Sequence, residues 1–192
     1  AECVGPEAAA AGGGALARRA YASRGAGSQE VVLAADAAVP PELAEFYFEV
    51  TVEHTEQAGA VLSVGLNAAG ARGQWANGSV RYQANAKKAR VSGGRRQQSD
   101  YGSRYGQHNV VGCGWNRAAK SVFFTRDGVL LGGAFDDVSM ESPRLVPAVG
   151  VSRGVKVRVN FGQEPFRYQL VVAGESAEER ERRRRREEAE RH

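Results

Sequence analysis

Between Arg81 and Arg104 seven basic side chains (Arg81, Lys87, Lys88, Arg90, Arg95, Arg96 and Arg104) stand against a single acid, Asp100. Guanidinium groups grip carboxylates and phosphates through forked hydrogen bonds, and ammonium groups act as point charges. The stretch is therefore equipped to bind anions. The whole chain carries +4 and the segment 81–104 alone carries +6. The tail Glu175–His192, with seven arginines and seven glutamates, sums to zero. A concentrated cationic stretch on a nearly neutral body attracts an acidic partner. The plainer reading is a solvated loop whose charges keep the chain in solution.

Other chemistry is thinly supplied. The histidines are His54, His108 and His192, and the cysteines Cys3 and Cys113, none at the tight spacing of a zinc site. No metal and no cofactor are expected. Gly12–Gly14 is followed by Ala-Leu, not by the Lys-Ser/Thr of a phosphate loop. There is no nucleophile elbow and no His-Glu-x-x-His pair. Asp136-Asp137 is too short a run of oxygen ligands for calcium. Asn77-Gly78-Ser79 fits a glycosylation sequon and is read as chance. No enzymatic activity is expected. Two distant thiols do not make a disulfide framework, so Cys113, between Gly112 and Gly114, reads as a small buried filler. A reducing, cytoplasmic compartment is the expectation, with cytoskeleton or cilium as settings within it.

A chain of 192 residues, 42% hydrophobic, is enough for one domain with its own core. No run approaches the roughly 20 apolar residues of a membrane-spanning helix. Residues 8–20, Ala/Gly-rich with two arginines, do not read as a secretory signal. Residues 1–28 read as a flexible lead-in, with a weak helix over Pro6–Ala20 that Gly12–Gly14 would break. From Val31 the pattern has period two. Phe46, Phe48, Val50 and Val52 alternate with Tyr47, Glu49, Thr51 and Glu53, which predicts a strand with one face in the core and one towards water. Val155, Val157, Val159 and Phe161 repeat it. Further strands are predicted at Ala60–Leu66, Val80–Gln83, Ala89–Ser92, Asn109–Trp115, Lys120–Arg126, Val129–Phe135 and Val146–Val151. Asp127-Gly128 marks a hairpin turn. Many short strands at this spacing indicate an all-β sandwich or barrel. In the tail, Glu178–Arg182, Glu179–Arg183 and Glu181–Arg185 are favourably ordered i,i+4 pairs, which predicts an exposed helix over 173–192.

Several motifs in order resemble one family. Phe46-Tyr47-Phe48-Glu49-Val50 resembles the YYFEV strand of SPRY domains, and Val64-Gly65-Leu66 their GIGL strand. Trp75, Ser79 and Tyr82 fall at the spacing of the family's GW-D-x-x-S-x-G-Y segment. Tyr101-Gly102, Tyr105-Gly106 and Asn109–Trp115 resemble YG-x-x-F-x-x-GDVIGCG. Phe123–Gly128 with Leu131-Gly132 and Ala134-Phe135 resembles FFTKNG-x-x-LG-x-AF, and Pro147–Gly150 and Val159–Phe166 resemble the closing motifs. The likeness runs from about Val31 to Phe166 and is nearest the Ran-binding-protein type, also found in ubiquitin-ligase adaptors and ciliary scaffolds.

The resemblance implies a bent two-sheet antiparallel β-sandwich of the concanavalin-like jelly-roll kind, spanning 29–172. It implies a non-catalytic adaptor or scaffold that captures a partner protein or peptide through loops at one edge. The departures fall in those loops. Ala76 stands where the pattern has Asp, Arg81 where it has Gly, and Gln83–Lys87 where it has an acidic loop. Ser152-Arg153-Gly154 stands where peptide-binding relatives carry Val-Trp-Gly. The candidate partner-binding residues are Asn67, Arg72, Gly73, Tyr82 and Gln83, together with Asn85, Arg104, Ser152 and Arg153. Trp75 anchors core or touches partner. Trp115 is read as core, and Tyr82, Tyr101 and Tyr105 mainly as packing. The alternative is a structural subunit of a large assembly, docked by its basic loop and tail. A third reading, RNA or another polyanion on Lys87, Lys88, Arg90, Arg95 and Arg96, is weaker. Single-strand recognition adds exposed aromatics, and the centre of that stretch has none.

Overall fold

The structure, a computed structural model, describes residues 18–21, 30–35, 39, 43–139 and 144–169. It consists of two six-stranded antiparallel sheets, and the described residues include no helix. The first sheet runs β1 (Arg18–Tyr21), β12 (Val155–Asn160), β3 (Glu45–Thr55), β8 (Val110–Asn116), β9 (Ser121–Arg126), β10 (Val129–Phe135). The second runs β2 (Val31–Ala34), β11 (Leu145–Val151), β4 (Leu62–Ala68), β5 (Val80–Gln83), β6 (Lys87–Ser92), β7 (Arg95–Asp100).

The period-two pattern sets which face each strand turns inward. Phe48, Val50 and Val52 of β3, Val155 and Val157 of β12, and Val64 and Leu66 of β4 meet between the sheets, all sealed from solvent. Each such side chain contributes about 1.5–3 kcal/mol. Cys113 is a free thiol in that core, its pKa pushed up by burial. Trp115 is buried there too. The predicted strands all appear, with ends shifted by one or two residues, and Asp127-Gly128 forms the predicted turn with both φ positive (50° and 83°).

Three expectations are revised. Tyr47 and Glu49 were expected towards water, yet they are 6% and 3% exposed. Phe166 and Tyr168 pack on Tyr47, and the chain after β12 thereby covers that face. The basic stretch is a hairpin rather than a loop: β6 and β7 pair from Lys87↔Asp100 to Ser92↔Arg95 around Gly93-Gly94, whose φ values of 56° and 73° suit glycine. Within the expected lead-in, Arg18–Tyr21 is extended and pairs with β12. The remaining lead-in, Cys3 and the predicted helix over 173–192 lie outside the described residues.

Candidate partner-binding site

The registers of the second sheet bring several strand ends to one end of the sandwich. β4 and β6 begin there and β5 and β11 finish there. Short connections lock this end. Ala84 N donates to Leu62 O (2.8 Å) and Tyr105 N to Ala84 O (3.2 Å). Ser152 N donates to Val61 O (2.8 Å), and Val61 N donates back to Ser152 Oγ (2.9 Å). Asn85 and Arg104 thus stand exposed on one side of Val61, and Arg153 on the other.

Arg72 and Gly73 reach the same region by a different route. The β4–β5 connection, 69–79, leaves the far end of β4 and doubles back, so that Val32 N of the edge strand β2 donates to Gly73 O (3.2 Å). Val31, one residue away, pairs with Val151, beside Ser152. Asn67 fastens this connection. Its Nδ2 donates to Gln74 O (3.0 Å), and its Oδ1 accepts from Ala68 N and Ala76 N (3.0 and 2.9 Å). Arg72, Gly73, Asn85, Arg104 and Arg153 are therefore exposed at or near one end. Among the described residues nothing pairs with the Arg72, Arg104 or Arg153 side chains.

The other four candidates support from within. Asn67 is sealed, and Ser152 is buried as a fastener. Tyr82 lies in the core, its hydroxyl donating to Ser103 O and its pKa raised by burial. Gln83 is buried and accepts from Arg96 Nη2 (3.3 Å). None of these four presents its side chain to a partner in this arrangement.

The basic hairpin is largely engaged with its own fold. Lys88 Nζ donates to Ala134 O (2.6 Å) and lies over the Tyr101 and Phe135 rings. Arg90 donates to Asp137 O (3.1 Å), and Lys87 pairs with Asp100 (3.1 Å). Arg96 is held by Gln83 and Gln98. Lys88 and Arg90 thereby close the open side of the sandwich between the two sheets, and only Arg95 of the five has no partner among the described residues.

One cluster escaped residue-by-residue reading. Val80 and Tyr82 point into the core, so Ser79 and Arg81 must face outward. There Trp75 lies over the Arg81 guanidinium, 5.0 Å from ring centroid to Cζ, and Arg81 is only 3% exposed. Burial pushes its pKa down to about 10; Glu30 opposes the shift and Arg96 adds to it. The signal in the sequence was an arginine between two core residues, at a position where the family pattern has glycine.

No group of three or more His, Cys, Asp or Glu among the described residues could hold a metal. His54 and His108 are exposed, and His108 Nε2 lies 3.2 Å from Gln107 Nε2.

The arrangement is a rigid two-sheet frame with fastened loops at one end, which suits recognition. A sequence profile of the SPRY domain matches residues 45–164. The chain belongs to the SPRY domain family. It is 32% identical over 139 residues to a Ran-binding proteins 9/10 homolog of Drosophila melanogaster, covering 70% of this chain and 14% of the relative. It is 31% identical to human Ran-binding protein 9, covering 69% of this chain and 18% of the relative. Over a shorter stretch, 42% of this chain and 6% of the relative, it is 33% identical to the E3 ubiquitin-protein ligase RKP of Arabidopsis thaliana. The chain thus spans under a quarter of the length of these relatives. Among solved structures it is similar to a human SPRY domain, with a TM-score of 0.60 and 25% identity over 76% of this chain and 91% of that one. SPRY domains are protein-interaction modules.

Proposed function

We propose that this SPRY domain captures an acidic segment of a partner protein at the loop end of the sandwich, in an adaptor or scaffold role and without chemistry of its own. The observation that carries this reading is the set of exposed guanidinium groups of Arg72, Arg104 and Arg153, unpaired among the described residues, on a fixed frame beside Asn85 and Gly73. Forked arginine–carboxylate bonds would supply orientation as well as attraction. The frame's own fastening keeps the loops in place, so little ordering cost remains at binding.

A role as adaptor in a ubiquitin-ligase context is the finer form of this proposal, supported by the likeness to a ligase of that class. A peptide array graded in acidic content tests the core of it. Acidic peptides are expected to be retained, and Arg72→Ala and Arg153→Ala each to weaken retention about three- to tenfold with an unchanged melting temperature. Equal retention of neutral and acidic peptides, or unaltered retention by both variants, would remove the loop end as the site.

A further inference from the structure

Among the described residues, the outer face of the second sheet holds four donor atoms with nothing to donate to. Trp75 Nε1, Ser79 Oγ, Arg81 Nε and Arg81 Nη1 are all buried and without a hydrogen-bond partner. They belong to one patch. Ser79 and Arg81 are two residues apart on the outward side of the strand, and Trp75 lies over Arg81. Tryptophan Nε1 and every arginine nitrogen only donate, so they cannot satisfy one another. Glu30 acts on Arg81 through space, but its Oε1 accepts from the Ser63 hydroxyl and no hydrogen bond joins Glu30 to Arg81 among the described residues. An isolated buried cation is costly unless it is paired.

Arg81 Nη2 is the one guanidinium nitrogen outside that set, and both two-pronged edges of a guanidinium share it. Arg81 is 3% exposed, so an incoming carboxylate must displace the Trp75 ring that lies over it. An oxygen arriving at Nη2 finds Nε or Nη1 as its second donor. Across the sheet Arg81 pairs with Gly65 on one side and Ala89 on the other, and both are buried with it.

We propose that Trp75, Ser79 and Arg81 form a receptor for one carboxylate, an Asp or Glu side chain of the partner polypeptide. The inference rests on the loop-end reading and extends it along the connection that carries Arg72, Gly73 and Trp75. The carboxylate takes two hydrogen bonds from the Arg81 fork, with the indole N–H and the Ser79 hydroxyl as flanking donors.

The probe is a blocked Asp-Gly hexapeptide, with its Asn-Gly counterpart as control, titrated into the full chain while the Trp75 indole and Arg81 Nε–H resonances are followed. Both resonances are expected to shift with the Asp peptide alone. Arg81→Met is expected to weaken binding about tenfold or more and to raise the melting temperature by a few degrees, since replacing an unpaired buried charge by an apolar chain relieves the fold. A lower melting temperature would make Arg81 a structural residue and end the proposal. So would equal binding of the Asn peptide, or resonances that stay still at saturating Asp peptide. If Asp-peptide binding survives Arg81→Met but falls in Arg72→Ala or Arg153→Ala, this receptor is wrong while the loop end stands. If the graded array shows no acidic preference, the loop-end reading fails on its own evidence.

Discussion

The two outer faces of this sandwich each bury one charged group to the same depth, and treat it in opposite ways. On the first sheet Glu49 is 3% exposed, and on the second Arg81 is 3% exposed. Glu49 accepts from Tyr47 Oη (2.9 Å), Arg167 N (3.0 Å) and Tyr168 N (2.9 Å), while the Tyr47 hydroxyl also meets Thr125 Oγ1 (2.7 Å). Arg81 has a ring above it and no acceptor on Nε or Nη1. Depth of burial therefore does not separate a structural charge from one left for a partner; the count of satisfied atoms does. The first face is closed by the chain's own segment 166–168. On the second, the Trp75 indole lies over Arg81 on a loop that Asn67 holds down.

The largest effect is expected where the charge is fully paired. Glu49→Ala orphans two backbone N–H groups under a packed cover and leaves the Tyr47 phenol with Thr125 alone. Each buried donor left unpaired costs about 1–3 kcal/mol, so a loss of about 4 kcal/mol is expected in urea unfolding, with segment 166–168 becoming protease-sensitive. A loss under about 1 kcal/mol would mean that the aromatic contacts alone hold the cover, and the contrast between the faces would collapse.

A smaller effect is expected on the second face, through the fastener rather than the charge. Asn67→Ala removes three hydrogen bonds to the 68–76 connection, which should lower stability by about 2 kcal/mol. It should also free Trp75, seen as a red-shifted indole emission, since the other tryptophan, Trp115, is 2% exposed in the core. If emission stays put, Trp75 is held by Arg81 rather than by Asn67.

The contrast between the faces also explains how far the sequence could be read. Alternation in β3 and β12 showed which residues line the core, because a buried strand face must be apolar at every second position. The same alternation mispredicted Tyr47 and Glu49. What covers them is a segment more than 100 residues away in the chain, and a local period carries no information about that. Of the candidates that the resemblance suggested, Asn85, Arg104 and Arg153 are exposed at the loop end, whereas Tyr82, Asn67, Gln83 and Ser152 are buried in the frame. β7 was missed as a strand because all six of its residues are exposed, which leaves no apolar signal. The Trp75–Arg81 contact was invisible because it depends on how 69–79 doubles back.

The smallest effect concerns protons and tests whether satisfied burial on the first face and in the core has a common signature. Burial raises the pKa of Tyr47, Tyr82, Tyr101 and Tyr105, in Tyr101 to about 12. An unfolded tyrosine titrates near 10. Above that pH the unfolded chain releases protons that the folded chain keeps, so stability must fall as pH rises. For Tyr101 the fall runs from about pH 10 to about pH 12 and is absent below it. Tyr101→Phe should flatten that part of the stability–pH curve while changing little at neutral pH beyond its bond to Gly132 O (2.7 Å). Tyr47→Phe should flatten the curve as well, but at a neutral-pH cost, because its hydroxyl is part of the Glu49 network. Equal neutral-pH stability of the two variants would show that the network around Glu49 adds nothing beyond packing, and with it the distinction between a face that is finished and a face that waits would lose its energetic basis.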